Sequence, residues 1–548
     1  MPSTGLQALI LCGPGSSFPT FTSDPDESPK ALLPIANRPM VWYPIDFCYR
    51  MGITSESIFS KAESLFDELG AITLICPPSA SAAITTALNT NPHLTALPLP
   101  RPDILSPADL DQNTGTAEIL RLPEIRELIT GDFVVLPCDL VCELGGEKLL
   151  QSWMVKSASL TDLLGTARLS NGHRSLHSGG LGVWYDTKTT TPVKGENTDF
   201  IRDGASAPNT RYASQRIVIL QLIEACVLYP NRLIERSHGR EERFPDAHIY
   251  IFPRWVLDFV KENERLESIG EDVIGWWAKA GWQSGLAEKL QMESICSQDR
   301  VEEKPEGAQE GVPSPRDHSP DGKSSPENPT SSVGAADPAA PGNSIGDGSQ
   351  SKKSQFEVPP IVAYIHSAGG SAPLIRRVDT AQLLLAISLQ LAKLPSLEET
   401  GGESASPYAH PKKVAYPEGV KPRTTITKQD SLIAENVTVE EKTSIKECVI
   451  GASSQINEGA KLSQCLLMEG VVVGKGCKLT RCILGKRCVI GAGSVLTDCE
   501  VQENLLVEAQ TEDKDNKLMS SEGLEATEAE MDEVLQDMEA EAEEAVVD

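Results

Sequence analysis

The sequence predicts two folded parts: an α/β domain on a Rossmann-like, mostly parallel sheet, then a left-handed parallel β-helix of hexapeptide repeats. Three observations carry this reading. Short apolar runs alternate with helical stretches as far as Lys393, the pattern of strands joined by crossover helices. From Ile433 onward, aliphatic residues recur with one strict period of 17, as stacked coils require. Between these parts, a long stretch rich in Ser, Pro, Gly and acids leaves the pattern on either side undisturbed.

The first element is Gly5 to Cys12, an apolar run ending in Gly13, Pro14 and Gly15, which reads as a buried strand feeding a loop. Met40 to Met51 reads as a helix, Ala71 to Cys76 as a second strand, and Phe133 to Pro137 as a third, ending at Cys138 and Asp139. Ala247 to Phe252 is a further strand and Trp255 to Glu262 a helix. Residues 297–356 hold few aliphatics and cannot bury enough surface to offset the entropy of ordering; they are expected to be a disordered insertion. The first domain, 1–296, therefore resumes at 357–395, with a strand over Pro360 to His366 and a helix over Asp379 to Lys393. A proline-punctuated linker is expected at 396–423, the β-helix at 424–508 and an acidic tail at 509–548.

The repeat can be read directly. Ile433, Ile450, Leu467, Leu484 and Val501 form one ladder; Val439, Ile456, Val473 and Ile490 a second; Ile445, Leu462, Leu479 and Leu496 a third. Three interleaved ladders of common period describe the three inward columns of a triangular solenoid. Cys448, Cys465, Cys482 and Cys499 keep the same spacing two residues before a column member, so strand alternation turns them inward as small buried groups. Gly459, Gly476 and Gly493 repeat where corners need a permissive backbone.

The formal charge of −29 disfavours nucleic acid and anionic membranes as partners, because their phosphates repel such a chain. The longest apolar run, Ile217 to Tyr229, is too short to span a bilayer and carries Glu224. No small-domain framework and no C-x-x-C pair organises the 13 cysteines, so a cytosolic chain with free thiols and no metal is expected. Glu522 to Asp548 contains no base and reads as a solubilising tail, with docking to a basic surface as the sharper alternative.

Gly13-Pro14-Gly15-Ser16-Ser17-Phe18 could cradle a phosphate with backbone N–H groups. It is followed by Pro29-Lys30-Ala31-Leu32-Leu33-Pro34, by Gly115-Thr116-Ala117 and by the strand ending at Asp139. This ordered set resembles the sugar-1-phosphate nucleotidyltransferases, which join an NTP to a sugar phosphate and release pyrophosphate; an attached β-helix is common among them. Their first loop reads Gly-x-Gly-Thr-Arg-Leu-x-Pro-Leu-Thr. Gly13, Gly15 and Thr22 match, but Ser17 stands at the arginine, Phe18 at the leucine and Thr20 at the proline. A serine cannot supply the fixed cation that stabilises charge on a reacting phosphate. Lys30 matches the family's lysine and Asp139 a metal-binding aspartate. Asp199 is a loose candidate for a second carboxylate, although a surface-loop acid is the simpler reading.

An eroded site of this kind joined to a β-helix resembles the gamma and epsilon subunits of eukaryotic translation initiation factor two-B. Pro29 to Tyr43, Asp246 to Asp258 and Ser268 to Asp272 resemble the gamma type, and only about 40 mostly acidic residues without an aromatic follow Glu508. Glu56 to Gly70 and Ile217 to Arg243 depart from it. The resemblance implies a non-catalytic scaffold in a guanine-nucleotide exchange complex. It would pair with a larger epsilon-type subunit, act on the GTPase that carries initiator tRNA, and need no cofactor. Two alternatives remain: a working mannose-1-phosphate guanylyltransferase, and a vestigial pocket that senses a nucleotide. On the scaffold reading Gly13, Gly15, Lys30, Gly115 and Asp139 are remnants of a nucleotide pocket.

Overall fold

The computed structural model describes residues 5–53, 71–99, 101–111, 113–157, 179–185, 201–202, 242–243, 245–296, 356, 358–366, 372–402 and 406–520. Its first part is built on a seven-stranded sheet. The strands are β1 (Gln7–Leu11), β2 (Ile72–Ile75), β3 (Asp103–Leu105), β4 (Phe133–Pro137), β5 (Gly180–Tyr185), β6 (Asp246–Phe252) and β7 (Ile361–His366). They lie in the order β7-β5-β6-β4-β1-β2-β3. All neighbours are parallel except β6, which runs against both β4 and β5. The five expected strands are present, with ends shifted by a residue or two. Two others were missed: β5, which has glycine at its first and third positions, and β3, which is three residues long and only partly buried.

Period-2 alternation splits the sheet between two cores. Ala8 and Ile10 of β1, with Val134 and Leu136 of β4, face the helix Trp42–Arg50 and the helix Pro78–Thr90. Leu9, Phe133 and Val135 face the helix Trp255–Glu262 and the helix Ile274–Ala280. Burial on both faces explains why these strands read as continuous apolar runs.

The second part is a left-handed β-helix whose three parallel sheets have six, six and five strands. Ile433, Val439, Ile445, Ile450, Ile456, Leu462, Leu467, Val473, Leu479, Leu484, Ile490 and Leu496 are all buried in its one core, with the four stacked cysteines. Each cysteine thiol donates to the carbonyl two residues before it, over 3.0–3.3 Å. Gly459, Gly476 and Gly493 turn corners at φ +78°, +70° and +76°. The other corners are also left-handed but are filled by residues such as Gln464, Arg481 and Asp498, so glycine marks only some of them.

A fourth apolar ladder of period 17 escaped the sequence reading. Leu432, Val449, Leu466 and Ile483 each precede a column residue, so they point outward, yet all are buried in the first core of the α/β part. The helix Ala381–Ala392 lies across the strands Val449–Ile450 and Leu466–Leu467. Polar ties flank this seam: Asn37 Nδ2 donates to Ile450 O at 3.0 Å, Thr20 Oγ1 to Glu500 Oε2 at 3.2 Å, and Arg487 pairs with Glu27 at 2.8 Å.

Two expected boundaries are corrected. Residues 396–423 are not a free linker. Tyr408 is fully buried; its hydroxyl donates to Cys142 O, and Arg38 holds the carbonyls of Tyr408 and Ala409. Val414 and Val420 already bridge to Ile433 and Val439 as an opening half-coil. Prolines at turns and anchor points mimicked a linker's composition. At the other end the solenoid continues past 508 through strands Glu512–Lys514 and Lys517–Leu518. There Asp513 takes the column position of Leu496, which hides the last coil from any hydrophobic pattern. The expectations for 297–355, for 56–70, for the apolar run near Ile217, for Asp199 and for 521–548 fall outside the described residues.

Candidate functional site

In an open α/β sheet, ligands bind beyond the carboxyl ends of the strands where the strand order reverses. Here that point lies between β1 and β4, and a cavity of about 220 Å³ opens there. Gly13 follows β1 and Asp139 follows β4, and both line the cavity with Lys30, His248, Tyr250 and Arg377.

Asp139 is the centre of the site. Its carboxylate is 1% exposed and takes Lys30 Nζ on Oδ2 at 2.6 Å and Arg377 Nε on Oδ1 at 3.2 Å. Burial opposes its ionisation, but attraction from Arg377 and Lys30 prevails and holds the carboxyl well below the usual carboxylate range. Burial likewise disfavours charge on Lys30 and Arg377, and Asp139 more than compensates, raising both. Lys30 reaches the cavity from a short 3-10 turn, Lys30–Leu32, after Pro29. Arg377 comes from the strand Ile375–Arg377, which runs antiparallel to Leu140–Cys142 and sets Arg377 opposite Leu140.

His248 forms part of the wall. It sits at φ +51° in a bulge of β6 between Asp246 and Tyr250. Its N–H donates to Asp246 Oδ1 at 2.8 Å, and the Tyr250 hydroxyl donates to the other carboxylate oxygen. Burial, helped by Arg377, pushes the imidazole down to about 3, so it is neutral.

The glycine loop turns inward upon itself. Phe18 N–H donates to Gly15 O at 2.8 Å, and both Phe21 and Thr22 N–H donate to Phe18 O. Gly15 has φ +90°, and a Cβ there would meet Thr22 Oγ1 at 2.9 Å. Phe18 and Phe21 are buried, whereas Ser17 is exposed and takes no part in the cavity wall. Gly115 is also outside the wall: a Cβ there would lie 2.3 Å from Glu267 O, so its role is close backbone packing. Its neighbours Thr114 and Thr116 line the cavity instead.

The structure thus brings Gly13, Lys30 and Asp139 together and leaves Gly15 and Gly115 as packing positions. Arg377 and His248 were missed. Adjacent Arg376 and Arg377 at the end of an apolar run were a signal for the first; His248 had none beyond its place in a strand. The donor set does not fit a divalent metal. Both oxygens of Asp139 are engaged by cations, and among the described residues no group of three or more His, Cys, Asp or Glu could hold a metal ion. No helix among the described residues is long and apolar enough to cross a membrane.

Residues 417–509 match the family model described as GlmU-like, C-terminal hexapeptide. Over 293 residues the chain is 26% identical to the translation initiation factor eIF2B subunit gamma of Schizosaccharomyces pombe (strain 972 / ATCC 24843), a match covering 53% of this chain and 55% of that protein. The chain spans about half the length of that curated relative. The resemblance to a gamma subunit with a hexapeptide solenoid is borne out by both matches.

Proposed function

We propose that this chain is a non-catalytic, gamma-type subunit of a cytosolic guanine-nucleotide exchange factor in translation initiation. In this reading it pairs with a larger, epsilon-type subunit within a multisubunit complex. The complex acts on the GTPase that carries initiator tRNA; the chain itself touches neither nucleic acid nor membrane. Exchange needs no covalent chemistry. It needs surfaces that favour the nucleotide-free GTPase over the nucleotide-bound one.

The observation that carries the non-catalytic reading is the neutralised Asp139. A nucleotidyltransferase would need that carboxylate free for a metal, and a cation from the glycine loop for the reacting phosphate. Here Lys30 and Arg377 occupy both carboxylate oxygens, and the loop presents an exposed serine away from the cavity. Similarity to a translation factor subunit supports the wider assignment.

The chain purified from its source cells should bring down a larger homologous subunit, and the complex should accelerate GDP release from the GTPase. The chain alone should release no pyrophosphate from GTP and mannose-1-phosphate. Turnover at about 1 per second or faster, abolished by Asp139→Ala, would overturn the scaffold in favour of a sugar-1-phosphate nucleotidyltransferase.

A further inference from the structure

Three of the buried cysteines stand side by side at the carboxyl ends of neighbouring strands: Cys76 after β2, Cys12 after β1 and Cys138 after β4. The ladder persists to this level, since Cys12 N–H donates to Ile75 O at 2.8 Å and Cys138 N–H to Leu11 O at 3.1 Å. Cys12 and Cys138 follow the paired residues Leu11 and Pro137. Adjacent strands are about 4.8 Å apart, inside the roughly 4.4–6.8 Å Cα separation that a disulfide spans. The Cys12 thiol donates to Ile10 O over 3.9 Å. Both cysteines line the cavity, and a volume of about 220 Å³ admits a small oxidant beside them. Cys76 is not part of the cavity wall.

From this arrangement we infer that Cys12 and Cys138 form a peroxide-reactive dithiol, a modification site in the cavity wall. The Cys138 sulfur, in the cavity wall, attacks one peroxide oxygen. The O–O bond breaks, a sulfenic acid forms on Cys138, and the other oxygen leaves as water or an alcohol carrying the thiol proton. The Cys12 sulfur then attacks the Cys138 sulfur. The S–O bond breaks, the disulfide forms, and hydroxide leaves with the Cys12 proton as water. Two thiols are oxidised and one peroxide is reduced by the same two electrons.

The test uses the full chain and hydrogen peroxide, with free thiols blocked by alkylation at intervals and peptides read by mass spectrometry. The Cys12–Cys138 linked peptide should appear at least about tenfold faster than the free thiols of Cys465 and Cys482 are lost, and a dithiol reductant should reverse it. In Cys12→Ser, dimedone should capture a sulfenic acid on Cys138. A Cys12–Cys76 link, or Cys12 and Cys138 still alkylatable when Cys465 has been oxidised, would overturn the assignment. The unsubstituted chain alone decides this if the variant fails to fold.

Discussion

At the cavity, Asp139 is buried with cations that lie 109 residues before it and 238 after it. In the solenoid, Val473 is buried against Ile456 and Ile490, its register partners one coil to either side. The first arrangement sets one carboxylate between two cations drawn from distant segments. The second repeats one apolar position at a fixed spacing. Loss of Asp139 at the cavity strands two buried cations. Loss of one member in the solenoid leaves a void whose cost scales with its size.

Substitutions can sharpen that contrast or break it. The largest effect is expected from Val473→Asp, which brings an unpartnered charge into a column with no cation to meet it. The coil should unfold, and the C-terminal fragment should lose its resistance to limited proteolysis; unchanged resistance would remove the column assignment. Next, Asp139→Asn leaves Lys30 and Arg377 without their countercharge and should cost about 3–5 kcal/mol by denaturant unfolding. Adding Lys30→Met should cost less than the sum of the two single changes; strict additivity would mean the three groups are not coupled. Leu466→Ala, on the seam, should cost about 2–5 kcal/mol through the void it leaves.

Acid acts on one region and not on the other. The folded Asp139 carboxyl lies well below its unfolded value of about 3.9. Its stabilisation is therefore complete above that pH and is lost as pH falls below it toward the folded value. The apolar columns do not titrate. Hydrogen exchange at falling pH should open β1 and β4 before the middle coils. The smallest effect is expected at Val489→Ser, on the half-exposed outer face of the solenoid, within about 0.5 kcal/mol.

The same contrast decides what the sequence could disclose. The columns were legible because their cause, stacking, is periodic. The outward ladder from Leu432 to Ile483 has the same period but its meaning lies in a partner surface. That surface is the helix Ala381–Ala392, and nothing local to the repeat announces it. A clue was present: on that side four successive column residues, Ile433 to Leu484, each follow another apolar residue, whereas on the other sides polar residues such as Thr438, Gln455, Lys461 and Lys478 share that position with valines. At the cavity, Lys30 and Asp139 were legible because each ends a recognisable motif. Arg377 reaches Asp139 only through the antiparallel pairing of Ile375–Arg377 with Leu140–Cys142, a long-range fact. The packed role of Tyr408 was hidden for a like reason, since its partners Arg38, Arg50 and Cys142 come from other segments.

The separation of 238 positions between Asp139 and Arg377 also sets a timetable. At synthesis rates of about 5–20 residues per second, Asp139 waits roughly 10–50 s on the ribosome before its second cation is made. Over that interval Lys30 is its sole countercharge within the site, and the edge of β5 that will receive β7 stays open. The α/β part therefore cannot close as an early, independent folding unit. Its last strand and its last cation emerge just ahead of Val414, where the solenoid begins, so the two parts mature together. A pause in translation between Tyr185 and Ile361 would lengthen the life of a nascent chain with an unpaired strand edge, the state most exposed to chaperones and to misassembly.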